Sequence, residues 1–158
     1  MGNKTLIYIK KLQDNIKESY KHLIRLKTAF EELSKKYKFP LNNSDYKLII
    51  VDNVDLAFCD QCIYRFSKLQ DSIGAKLFKS LLLSQGENVD KPFIDILNQL
   101  EKINIVNVDE WFELRDLRNE IAHEYDDNGD MVINILNSIF VLKDELEIIL
   151  IKIDKMAR

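Results

Sequence analysis

A chain of 158 residues suits one domain and is short for two. Its 46% hydrophobic and 31% charged residues exclude a disordered or membrane-embedded composition, and only 4 Gly and 2 Pro leave little for a sandwich, a barrel or a glycine cradle for phosphates, so the composition predicts an all-α domain over 1–158. The net charge of −3 argues against a general nucleic-acid binder, yet residues 1–50 hold 11 Lys+Arg against 5 Asp+Glu, a balance of +6, while residues 51–158 hold 12 against 21, a balance of −9.

From Thr5 to Tyr37 the residues Leu6, Ile9, Ile16, Tyr20, Leu23, Phe30, Leu33 and Tyr37 recur at spacings of three, four or seven, one stripe of a long amphipathic helix. Charge lies within the apolar run at its start, and no window reaches 18 uncharged apolar residues. Neither a signal peptide nor a membrane span is expected, and the expected location is the cytoplasm. Pro40 breaks the first helix, and Ser44 is placed to cap the next.

That second helical region is predicted from about Asp45 to Ser84, bent near Gly74 and ending at Gly86. Tyr46 to Val51 is β-branched enough for a strand but has no strand partner, so it reads as helix. A polar connection leads to Pro92 at a first helical position and a short helix to about Lys102. Asn107 or Asp109 starts a helix carrying Trp111, Phe112, Leu114, Leu117, Ile121 and Ala122. Asp126-Asp127-Asn128-Gly129 is a turn, and Val132 to Ile153 forms the closing helix. Five helices with short connections predict an up-and-down bundle of four or five helices.

Cys59 and Cys62 have metal-ligand spacing, but four zinc ligands are not in sight when the histidines are only His22 and His123. They read as two cysteines on one helix face, His22 as a surface or boundary residue and Trp111 as core. No metal site is expected.

The segment that stands out runs from Arg115 to Tyr125. At 100° per residue, Asn119 and His123 fall about 40° apart on one helix face, with Arg115 four residues before Asn119. Arg118 lies five residues before His123, about 140° round the axis and roughly 7.5 Å along it, so the two do not easily meet on one phosphate from a single straight helix. They converge more readily when a second copy of the helix faces the first across a two-fold axis, which predicts a homodimer.

Arginine and histidine without metal or cysteine suit phosphodiester cleavage of RNA, where the substrate's 2′-hydroxyl is the nucleophile. An imidazole exchanges protons near neutral pH, and a guanidinium holds two phosphate oxygens. Asn119 would orient the imidazole or bond a phosphate. The same residues also suit a plain reading, in which Arg118, Glu120 and Glu124 are surface charges and His123 interacts with a helix C-terminus.

The string Arg118-Asn119-Glu120-Ile121-Ala122-His123 resembles the signature of the HEPN superfamily: an arginine, a polar residue such as asparagine, and a histidine after four to six intervening residues. With Tyr125 it is similar to the HEPN toxins of two-gene, type VII-like toxin–antitoxin modules, and Arg65 to Gly74 is similar to the second-helix pattern of that branch. The resemblance implies a HEPN-like helical bundle, a homodimer with a composite cleft, and metal-independent endoribonuclease activity without a cofactor. It implies Arg118 and His123 as catalytic and Asn119 as supporting. Tyr125 would be the hydroxyl that a cognate minimal nucleotidyltransferase antitoxin modifies with AMP from ATP, and Arg65, Asp71 and Arg115 are expected to line the cleft. An interhelical or intrahelical ion pair is the other reading of Arg65 and Asp71. The alternative of another class is a noncatalytic helical subunit that serves a nucleotidyltransferase.

Overall fold

The computed structural model describes residues 2–124 and 129–158, with His123 and Glu124 in backbone alone. The chain is an all-α helical bundle, with no strand among the described residues. Among the described residues six helices follow one another. They are α1 (Asn3–Ser34); α2 (Asn43–Ile49); α3, a continuous run of Asn53–Asp71, a π-helical stretch Ser72–Leu77 and Phe78–Ser84; α4 (Phe93–Lys102); α5 (Val108–Glu124); and α6 (Gly129–Ala157). No described helix is long and apolar enough to cross a membrane.

The predicted second region is two helices. Asn42, rather than Ser44, caps α2: its side chain accepts from the Asp45 amide at 2.9 Å, and the Asp45 carboxylate accepts from the Asn42 amide at 3.0 Å. Three residues past the end of α2, the Asp52 side chain accepts from the amides of Val54 and Asp55 and starts α3. Pro92 sits one position earlier than expected, as the residue preceding the first turn of α4. Two helices end alike. Gly86 at φ +80° lets the Glu87 amide reach the Leu82 carbonyl, and Asn104 at φ +62° does the same for Ile105 and Leu100.

A hydrophobic cluster draws on every helix, with Leu26, Leu33, Ile49, Phe66, Leu81, Leu97, Leu114 and Leu136 fully or nearly fully buried. Helix α1 packs along α3, α6 lies against α1, α3 and α5, and α5 leans on α3. Gly74 marks a π turn rather than a bend: the Phe78 amide reaches back five residues to the Ile73 carbonyl. Polar bonds tie α3 to α1 here, between Ser19 and Ser72 of the π stretch at 2.8 Å and from Asn15 to Ser80 just beyond it at 2.5 Å, all four residues being buried. Trp111 of α5, 2% exposed, presses on the same place, so near that a Cβ on Gly74 would stand 2.7 Å from its Cζ2.

Candidate functional site

The apolar spacing of α5 places Trp111, Leu114, Leu117 and Ile121 in the core. Arg118 consequently falls on the border of that stripe, facing α3, with Arg115 and Asn119 on the exposed side. Its guanidinium meets the Asp71 carboxylate in two parallel bonds, Nε to Oδ1 at 3.2 Å and Nη2 to Oδ2 at 3.1 Å. The pair is open to water, with 30% of the Arg118 side chain and 48% of the Asp71 side chain exposed.

Two cavities meet at this pair. One, of about 400 Å³, lies between α3, α4 and α5 and is lined by Gln70, Asp71, Gly74, Ala75, Lys79, Phe93, Trp111, Arg115, Arg118 and Asn119. Its charges are three cations against one carboxylate, and the π turn at Gly74 with Trp111 forms part of its wall. The other, of about 460 Å³, is lined by Asp60, Ile63, Tyr64, Ser67, Lys68, Asp71, Arg118 and Ile121. Asp71 and Arg118 border both.

Of the residues expected at a site, Arg115, Arg118, Asn119 and Asp71 thus share one cavity. Arg65 stands apart and lines neither. Six residues from Asp71, it points about 120° away round α3, into α1, where its Nη1 meets Nδ1 of His22 at 2.9 Å. His22 is buried rather than on the boundary. Burial, and next the Arg65 charge, lower its pKa from the usual histidine value, while Glu18, 3.9 Å from Nε2, opposes them. The imidazole of His123 and all of Tyr125 lie outside the described residues, as does the turn at 126–128.

Cys59 and Cys62 are buried free thiols. Burial is the first cause pushing both upward, Cys59 to about 12, so neither is a reactive thiolate near neutral pH. Among the described residues no group of three or more His, Cys, Asp or Glu is gathered as a metal site.

Sequence reasoning missed Tyr64 and Lys79, and it took in Ser67, Lys68 and Gln70 only as part of the run Arg65 to Gly74, without a place at the site. The spacing of Tyr64, Ser67, Lys68 and Asp71 at intervals of three and four was a usable signal, since it puts them on one face of α3. No family model, no curated protein and no solved structure matches the chain.

Proposed function

We propose that the chain is a metal-independent endoribonuclease of the HEPN kind, the toxin of a two-gene module, active as a homodimer and neutralised when a minimal nucleotidyltransferase transfers AMP to Tyr125. The observation that carries this reading is the position of Arg118. It stands at the junction of two cavities, with Arg115 and Asn119 beside it, on the helix that bears His123 five residues on.

An RNA phosphate entering the cationic cavity competes with the Asp71 carboxylate for the guanidinium, which offers two parallel donors to either anion. The 2′-oxygen then attacks the adjacent phosphorus and the P–O5′ bond breaks, leaving a 2′,3′-cyclic phosphate and a 5′-hydroxyl. A neutral His123 imidazole takes the 2′-hydroxyl proton, a protonated imidazole gives one to the departing 5′-oxygen, and the guanidinium stabilises the charge on the phosphoryl oxygens. Two copies supply the two histidines. An adenylyl group on Tyr125 adds bulk and a phosphate charge two residues from His123, opposing the RNA backbone.

One observation favours a second reading, a noncatalytic helical subunit: Arg118 already has a carboxylate partner and needs no ligand to satisfy it. Induced expression separates the two. The toxin arrests growth, Arg118→Ala and His123→Ala relieve the arrest, and coexpression with a cognate nucleotidyltransferase adds whole AMP units to Tyr125. A wild-type chain that leaves growth untouched contradicts the toxin and favours the subunit.

A further inference from the structure

The two cavities that meet at Arg118 differ in charge and in lining. The one beside Arg115 and Lys79 has an excess of cations and suits phosphate. The other is balanced, Lys68 and Arg118 against Asp60 and Asp71, and its floor is the buried Ile63 and Ile121. A balanced rim over an apolar floor suits a neutral flat group rather than an anion. At about 460 Å³ it falls in the range of small-ligand sites.

Two further features narrow the occupant. Ser67 lines this cavity at 9% exposure, and its Oγ is buried just beneath the wall with no hydrogen-bond partner, so a rotation about its Cα–Cβ bond is what brings the hydroxyl to a ligand. Buried hydroxyls normally find partners, and a hydroxyl both donates and accepts, so this one matches either kind of edge atom on a heteroaromatic ring. Tyr64, 51% exposed, stands at the rim, with Lys68 Nζ 5.6 Å and the guanidinium of Arg65, itself outside the cavity, 5.2 Å over its ring, so a base stacks on the ring surface these cations leave open or displaces the mobile Lys68. An exposed aromatic flanked by cations is a platform for a base attached to a charged backbone.

We propose that this cavity is a nucleobase subsite, holding the base next to the phosphate bound at Arg118, with Ser67 reading the base edge and Tyr64 stacking on it. The proposal rests on the ribonuclease reading for the identity of the polymer. It makes the enzyme selective for the base at one position beside the cut.

The test uses the full-length chain and fluorescently labelled 2′-O-methyl decamers of A, C, G and U. These cannot be cleaved, so binding is read apart from chemistry. Fluorescence anisotropy should show one base bound more tightly than the others. Ser67→Ala should reduce that preference by about three- to tenfold. Tyr64→Ala, an exposed change that leaves the core intact, should weaken every decamer by about tenfold or more. Cleavage of a mixed-sequence natural RNA by the same proteins shows whether the preferred cut position follows Ser67.

If RNA is bound and cut, but neither variant alters affinity, base preference or cut position, the subsite is overturned and the ribonuclease stands. Base-selective binding that depends on Ser67, without cleavage of natural RNA, keeps the subsite and removes the ribonuclease. If no decamer binds and no RNA is cut, both fall.

Discussion

Replacing Gly74 by alanine probes the place where the π turn, the core and the cationic cavity coincide. In an ordinary helix the change is stabilising, by about 1 kcal/mol. Here the added Cβ would stand 2.7 Å from Trp111 Cζ2, about 1 Å inside normal carbon–carbon contact. The ring has little room to withdraw, being 2% exposed and held against Phe78 with ring centroids 4.8 Å apart. Overpacking of this kind costs about 2–3 kcal/mol, the upper part of the usual range, so the net loss should be about 1–2 kcal/mol. Urea unfolding followed by far-ultraviolet circular dichroism measures it for wild type, Gly74→Ala, Trp111→Phe and the double variant. Trp111→Phe removes the part of the ring in contact, so the alanine should then cost at least about 1 kcal/mol less. A Gly74→Ala chain as stable as wild type, or a loss unchanged by Trp111→Phe, refutes the reasoning.

Three further outcomes are expected. The Tyr37 hydroxyl is pushed up to about 12 by burial and by its 2.6 Å bond to Asp55, so the stability it contributes is full below about pH 10 and is lost as pH rises through 12; thermal melts from pH 9 upward should fall more steeply for wild type than for Tyr37→Phe. His22 has a lowered pKa, so its contribution is present above the usual histidine value and is lost as pH falls through the folded one; melts between pH 7 and pH 5 should show a larger acid loss for wild type than for His22→Gln. Asp71→Asn frees the Arg118 guanidinium from an exposed ion pair, so unfolding free energy should change by less than about 1 kcal/mol while the 2′-O-methyl decamers bind more tightly, and weaker binding would show instead that the carboxylate holds Arg118 in place.

Much of the fold was legible because apolar spacing is read locally. The stripe of α6, that of α1 from Ile16 onward and the core positions Trp111, Leu114, Leu117 and Ile121 follow from period, whereas Leu6 and Ile9 at the start of the α1 stripe are exposed, as is Ala122, and Phe112 is half-buried. Cap choice was less legible, since Asn42 and Ser44 are both good caps and the reciprocal Asp45 bond decides between them. The separation of α2 from α3 depends on Asp52, an acidic residue that reads equally well as a helix surface. Gly74 signalled an irregularity, but neither the π turn that stands there nor the approach of Trp111, far away in sequence, can be read from local spacing. At the site, Arg115, Arg118 and Asn119 share a cavity because they share a helix, which spacing can predict. That Asp71 would meet Arg118, and that Arg65 would turn to His22, depends on how α3 is rotated between α1 and α5, which only packing fixes.

The most direct test of the role assigned to Arg118 is cleavage of end-labelled RNA by purified wild type and Arg118→Ala in buffer with excess chelator, with circular dichroism confirming that both are folded. Wild type should produce fragments ending in 2′,3′-cyclic phosphate, and Arg118→Ala should be slower by about a hundredfold or more. A folded wild-type dimer that leaves RNA intact, or an Arg118→Ala protein that cuts as fast as wild type, contradicts it.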